Sequence, residues 1–307
     1  MKLSQIGEFG LIELIKQTEP KRQDTIIGIG DDAAVLKNKD SKYLLVTTDT
    51  FVENVHFRRR GLSFFALGYK SLLANVSDIA AMGGYPTHAL VTIGLPKDVT
   101  VYQVRQLYNG INSLAKKLKI DILGGDTVSS PREIIVSITL LGEVEREYLL
   151  TRSGAKLGDL ILVSGKFGGP ASQNYSLLVT RRACRQAGYS LRLKEARIIA
   201  KSKLATSMID SSDGLVRSIL EICKMSKTGA RIFEDMVPIA KGANLNQALY
   251  GGEEYELVFT VPKNKLKQIK INATVVGEVV SKSKGIKLID PCGRIKPLKS
   301  GGYEHFV

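Results

Sequence analysis

The chain has 307 residues, 44% of them hydrophobic and 24% charged, which reads as globular rather than disordered and is long enough for two ordinary domains. Its formal charge of +14 would draw anionic nucleotides toward a site, but the basic residues are dispersed, with Arg58, Arg59 and Arg60 as the one three-residue block, and tryptophan is absent. That pattern reads as a solvated lysine-rich surface and predicts no specific nucleic-acid partner.

The opening LSQIGEFGLIELIKQ carries Ile6, Phe9, Leu11, Ile12, Leu14 and Ile15 partly at helical spacing and predicts a short amphipathic helix in its second half. YLLVTTDT reads as a strand ending in oxygen-bearing side chains. From Phe64 to Ala81 apolar residues recur with helical period, which sets Ser71, Asn75 and Asp78 on one polar stripe and Asp78 on a rigid element. THALVTIGLP reads as a strand, VYQVRQLYNGINSLAKKL as an amphipathic helix, IDILGGDT as a strand and glycine turn, and EIIVSITLLGEV as an alternating strand. This order predicts an α/β or α+β domain with an antiparallel contribution, ending near Val144.

TRSGAKLGDLILVSG is a turn-rich connection leading into a strand, so the expected domains are 1–150 and 151–307. Helical patterns follow around Leu177 to Gln186 and Ala196 to Lys203. ATSMIDSSDGL reads as a strand, an acidic turn and a helix beginning at Leu215, and GGEEYELVFTV as another acidic turn feeding a strand. Short strands are expected around Val275 and Ile286. The longest apolar stretches fall far short of the roughly 20 residues of a membrane helix, and the N-terminus lacks a signal-peptide pattern, so a cytoplasmic protein without membrane contact is expected. Cys184, Cys223 and Cys292 have no paired spacing and read as reduced structural residues, and the scattered histidines give no zinc motif.

The chemistry lies in acids beside glycine at the ends of apolar runs: GIGDDAAVL, LLVTTDT, VSDIAAMGG, ILGGDT, MIDSSDG and YGGEEYELVF. Glycine lets backbone approach a ligand, and Asp, Thr and Ser supply the hard oxygens that magnesium prefers, with phosphate and water completing the shell. A polyphosphate is therefore the implied partner. Each cluster taken alone also reads as an ordinary turn, and Asp213 as a helix cap, because Asp and Gly favour turns on conformational grounds. The Walker phosphate loop is absent, since SGKFGG puts Phe167 where Ser or Thr should follow the lysine, and neither the protein-kinase set nor GxSxG occurs. Carboxylates from distant segments converging on several magnesium ions would suit phosphoryl transfer, which needs positioning and charge stabilisation above all.

The ordered set GIGDDAAVL, TTDTFVENVHF, LGYKSLLANVSDIAAMGG, LGGDT, TRSGAKLGD, IDSSDGL and GGEEYEL, ending in GGYEHF, closely resembles the thiamine-monophosphate kinase family from Gly7 to Phe306. Its glycine-acid turns are shared with a wider ATP-dependent superfamily that includes aminoimidazole ribonucleotide synthetase and selenophosphate synthetase. The resemblance implies phosphorylation of thiamine monophosphate to the diphosphate by ATP with several Mg2+ ions. It also implies two α/β domains with the active site in their cleft, and a homodimer formed through the N-terminal domains.

Carried over by position, Asp32, Thr47, Thr48, Asp49, Asp78, Asp126, Asp210 and Asp213 resemble metal ligands, and Tyr108, Gly125, Arg152 and Ser212 resemble nucleotide contacts. His56, Glu253 and Tyr303 resemble substrate contacts, and a carboxylate and an aromatic face suit a cationic thiazolium. For Tyr303 alone, packing at the C-terminus is the plainer reading. Two segments depart from the family pattern, GGPASQNYSLL at 168–178 and LRLKEARII at 191–199, and both lie outside the acidic set. The competing readings are another synthetase of the same superfamily and a basic nucleic-acid-binding protein on the same fold. The first lacks a reactive cysteine, and the second has no use for so many acids.

Overall fold

The apolar runs between the acidic turns form two sheets in the computed structural model, which describes residues 2–16, 22–38, 40–175, 191–296, 298 and 301–306. The first sheet contains β1 (Thr25–Ile27), β2 (Ala34–Lys37), β3 (Lys42–Val52), β4 (Tyr85–Leu95), β5 (Asp121–Ser129) and β6 (Ile135–Glu145), in the order β1-β2-β3-β6-β4-β5. All neighbours are antiparallel except β4 and β5, which a helical crossover makes parallel. β6 shows the period of two: Val136, Ile138, Leu140, Gly142 and Val144 are buried while the alternate residues are half exposed. One face of the sheet is thus committed to a core and the other left open.

Helix α1 (Gly7–Ile15) precedes this sheet, and α2 (Phe64–Ala81) and α3 (Val101–Leu118) cover its core face. The Ser63 hydroxyl accepts from Ala66 N–H at the start of α2, and Thr100 with Gln103 forms a capping box on α3, so both helices begin where a side chain satisfies free backbone donors. α2 is buried nearly all round because it meets the sheet, α3 and the second sheet together. Its backbone touches α3 through facing glycines. A Cβ on Gly68 would stand 2.0 Å from Leu107 O, and one on Gly110 would stand 2.0 Å from Phe65 O. The polar stripe ahead of Asp78 is interior: Ser71 Oγ donates to Leu67 O at 2.9 Å and Asn75 Nδ2 to Ser71 O at 3.0 Å.

The second sheet contains β7 (Asp159–Val163), β8 (Ser207–Asp210), β9 (Thr228–Phe233), β10 (Leu257–Pro262), β11 (Thr274–Ser281), β12 (Ile286–Ile289) and β13 (Ile295–Lys296), in the order β13-β12-β9-β11-β7-β10-β8. Only the β9–β12 pair is parallel. Of helices α4 (Gly169–Ser172), α5 (Leu193–Ser202), α6 (Leu215–Ser226) and α7 (Leu245–Tyr250), the last three pack into its cores and α4 packs on α7. Alternation along β10 sends Val258 into one core with Ile219 and Ile222 of α6, and Leu257, Phe259 and Val261 into another with Ala196 and Ile199 of α5. Ala80 of α2 joins the latter core, so the last turn of α2 is fixed against both sheets. That turn carries Asp78.

The structure corrects some expectations. IDILGGDT does not end in a turn: Gly124 and Gly125 lie inside β5 at φ values of 147° and 151°, and a Cβ on Gly125 would stand 1.8 Å from Val91 O, so the second glycine serves close strand approach. β9 is a strand that the sequence reading leaves unassigned. LRLKEARII forms the start of α5, tied at Arg192 to Glu256 and Glu195 and at Arg197 to Glu145 of the first sheet. Of GGPASQNYSLL, residues 168–175 are described and include α4, whereas 176–178 and the pattern over Leu177 to Gln186 lie outside the described residues. Cys223 is free and buried, Cys292 is free and exposed, and Cys184 also lies outside them. Among the described residues no helix is long and apolar enough to cross a membrane.

Candidate active site

Four chain segments deliver acids to one place. β3 runs deep into the first sheet and brings Thr47 and Asp49 toward α2, whose last turn carries Ser77 and Asp78. The turn before β2 brings Asp31 and Asp32, and β8 ends on Asp210 with Ser212 and Asp213 in the loop that follows. Carboxylate oxygens of Asp32, Asp78 and Asp210 all lie within 4.8 Å of one another.

Hydrogen bonds fix each of them. Thr47 Oγ1 donates to Asp78 Oδ2 and Ser77 Oγ donates to Asp210 Oδ2, both at 2.6 Å. Arg152 donates to Asp32 Oδ1 from Nε at 3.0 Å and Nη2 at 2.5 Å, while its backbone N–H donates to Asp31 Oδ1 at 3.2 Å. Asp32 Oδ2 is buried with no hydrogen-bond partner, which a well-packed interior does not leave without cause.

Burial, with mutual repulsion added for most members, pushes these acids above the usual carboxylate range: Asp210 to about 8, Asp31 and Asp213 to about 7, Asp49 to about 6 by burial, and Asp78 well upward. Asp32 is also raised by burial, against the pull of Arg152. Hard oxygen donors, an unpartnered buried oxygen and unrelieved negative charge together suit a divalent cation such as magnesium.

The cluster separates two chambers. The larger, about 850 Å³, has Asp49, Asp78, Asp210 and Asp213 on one side and His56, Glu253 and Tyr303 on another. The smaller, about 280 Å³, is lined by Arg152 and Asp31 together with Phe9, Ile12, Ile29 and Met225. Asp210, Ser212 and Asp213 line both.

In the larger chamber Val52 N–H donates to His56 Nδ1 at 3.0 Å, so the neutral ring carries its proton on Nε2. Burial pushes the imidazole down to about 4, with His305 and Lys70 adding to the effect, and it stays neutral at physiological pH. His56, His305 and Tyr303 form an aromatic run, with ring centres 5.2 Å and 4.9 Å apart in succession. Tyr303 is thus part of the chamber wall as well as of terminal packing. Glu253 lies at φ 69°, in the left-handed region, with its N–H bonded to Ser212 O at 2.6 Å and its carboxylate 2.5 Å from Lys70 Nζ.

Comparison with known proteins fits this architecture. Residues 30–144 match the family described as AIR synthase related protein, N-terminal domain, and residues 157–289 match its C-terminal domain. The thiamine-monophosphate kinase of Bacillus subtilis (strain 168) is 34% identical over 325 residues, an alignment covering 98% of this chain and 100% of the relative. The chain belongs to the thiamine-monophosphate kinase family. A solved thiamine-monophosphate kinase from Aquifex aeolicus matches at 32% identity and a TM-score of 0.78, covering 97% of this chain and 100% of that one. A structure described as "AaThiL complexed with AMPPCP and TMP" matches at 32% identity and a TM-score of 0.85, covering 99% of each chain.

Of the residues that resemble functional positions in thiamine-monophosphate kinase, most converge. Asp32, Thr47, Thr48, Asp49, Asp78, Asp210, Asp213, Arg152, Ser212, His56, Glu253 and Tyr303 line the chambers or bond to residues that do. Tyr108, Gly125 and Asp126 do not. Tyr108 packs half-buried against the first core from α3. Asp126 is exposed on β5, where its Oδ1 accepts from Thr127 N–H at 2.8 Å. The register row Thr50, Ser137, Thr92, Asp126 crosses three strand gaps, about 14 Å at the usual spacing. Asp31, Lys70 and Ser77 were missed as site residues although all three stand inside quoted motifs. For Asp31 and Ser77 the signal was adjacency to an acid, which spacing alone does not rank, whereas Lys70 carried no local signal.

Proposed function

We propose that this chain transfers the terminal phosphoryl group of ATP to the phosphate of thiamine monophosphate, giving thiamine diphosphate. The observation that carries the reading is the wall shared by the two chambers. Asp210, Ser212 and Asp213 face both, so two phosphorylated ligands, one in each chamber, would meet across a single set of acids. The family relatives act on thiamine monophosphate by name, and the AaThiL complex holds AMPPCP, an ATP analogue, together with TMP.

Arg152 and Ser212 would hold the nucleotide phosphates, and the Arg152 guanidinium brings positive charge to that side. His56 would donate from Nε2–H to an acceptor atom of the second substrate. Glu253 and Tyr303 would hold the cationic thiazolium, the first by charge and the second by its ring face. Asp32, Thr47, Thr48, Asp49, Asp78, Asp210 and Asp213, with Asp126, are the proposed magnesium ligands. Magnesium, when bound, would neutralise the acids and phosphate oxygens and align donor with acceptor. The Thr47 and Ser77 hydroxyls each donate to a carboxylate of the cluster and His56 Nδ1 accepts from Val52 N–H, an arrangement that supports direct in-line transfer rather than an enzyme nucleophile.

The two proposed domains, 1–150 and 151–307, would divide the work between metal and nucleotide binding on one side and completion of both substrate sites on the other. A homodimer through the N-terminal domains would cover the open face of the first sheet, where Leu90, Leu123 and Val128 are exposed and β5 is an edge strand. Gly125 and Asp126 lie on that strand, so the surface a partner would cover carries two of the residues that a single chain leaves away from the cleft. The family reading also supports a cytoplasmic setting. An assay with ATP and magnesium against thiamine monophosphate, free thiamine and an aminoimidazole precursor tests the proposal. Turnover of thiamine monophosphate alone is expected, and equal turnover of free thiamine would sink the assignment.

A further inference from the structure

Lys70 of α2 is among the largest fully buried side chains of the molecule. Burying an ammonium group is costly unless a counter-charge and hydrogen bonds meet it. Its Nζ lies 2.5 Å from Glu253 Oε1 and 5.3 Å from the centre of the Phe51 ring. Phe51 and Glu253 both line the larger chamber, and Lys70 stands behind them. The pair also joins the two halves of the chain, because α2 packs on the first sheet while Glu253 belongs to the turn that feeds β10 of the second.

That turn depends on its surroundings. Glu253 at φ 69° and Tyr255 at φ 53° both occupy the left-handed region that side chains with a Cβ seldom adopt. Backbone bonds from Glu253 N–H to Ser212 O and Tyr255 N–H to Ser211 O hold the turn on its own side. Lys70 holds the Glu253 carboxylate from the other.

We propose that Lys70 is a positioning residue that acts through Glu253, holding its carboxylate in place for the cationic ring of the phosphate acceptor. The inference rests on the acceptor reading above and deepens it. With an apolar side chain at position 70, Glu253 would face the same buried wall without its counter-charge and would turn toward solvent. That withdraws the anion from the cation. The nucleotide chamber would be left as it was, since Lys70 lines neither it nor the acidic cluster.

A double-mutant cycle tests this, with dissociation constants for thiamine monophosphate and for AMPPCP measured by calorimetry on wild type, Lys70→Met, Glu253→Gln and the double variant. Lys70→Met is expected to weaken thiamine monophosphate about tenfold or more and AMPPCP by no more than about twofold, with Lys70→Arg recovering most of the loss. The double variant should bind no worse than Glu253→Gln alone, because Lys70 acts through that carboxylate. Additive losses, equal losses for both ligands or wild-type affinity in Lys70→Met would each overturn the proposal. If Lys70→Met does not fold, wild-type thiamine monophosphate affinity in Glu253→Gln overturns it by itself. A wild type that binds thiamine monophosphate without phosphorylating it would refute the proposed function and leave the cycle readable, whereas a wild type that does not bind it would overturn both.

Discussion

Replacing Asp78 with Asn separates the proposed metal role from a structural one. Asp78 accepts from Thr47 Oγ1 at 2.6 Å and shares a 4.8 Å cluster with Asp32 and Asp210. Burial, and then the charges of Asp49, Asp210 and Asp32, raise its pKa, so Asn removes a charge that the metal-free interior disfavours. The amide oxygen still accepts from Thr47, and the fold should survive.

The pH dependence has a definite sign. A group whose folded-state pKa is raised contributes stability that is complete below its unfolded value, about 4, and is lost as pH rises through the folded value. Metal-free Asp78→Asn should therefore match wild type in melting temperature at acid pH and exceed it increasingly toward alkaline pH. The substitution removes a charged ligand from the loaded site, however, and a loss of about 2.7 kcal/mol of transition-state stabilisation is about 100-fold in rate. The assay is steady-state phosphorylation of thiamine monophosphate across a magnesium titration, with melting followed in chelator. Chelation should abolish wild-type turnover and magnesium restore it. Wild-type turnover with an unchanged magnesium requirement in Asp78→Asn would refute the metal role, and an unfolded variant would show the carboxylate to be structural.

Two further outcomes follow from the geometry. Incubation with γ-labelled ATP and magnesium, without acceptor, should leave no label on the protein after rapid quench, and labelling fast enough to lie on the reaction path would refute direct transfer. Gly68→Ala places a methyl group 2.0 Å from Leu107 O, so α2 and α3 must move apart at a cost of about 1–3 kcal/mol, read as a lower denaturant midpoint; an unchanged midpoint would show that the helix contact yields freely.

Local pattern settled much of this protein in advance. The helix from Phe64 to Ala81 was legible because its apolar residues recur with helical period, and the β6 strand because alternation survives along its whole length. The acids beside glycine were legible as a class, since hard oxygens at strand ends carry the same chemistry wherever they occur, and the ordered motif set pointed to the family. Which acids meet was a matter of tertiary structure. Asp32, Asp78 and Asp210 converge because a turn, a helix end and a strand end are fixed by cores that α2 shares between both sheets. Asp126 has the same local signature and stands apart, because β5 is placed at the far edge of the sheet by the β4–α3–β5 crossover. Lys70 has no local signature that sets it apart from the other basic residues, and only the packing of α2 against the turn that carries Glu253 makes it a buried counter-ion. Period and turn chemistry depend on near neighbours in the chain and can be read from it, whereas burial and charge pairing depend on neighbours brought close by the fold.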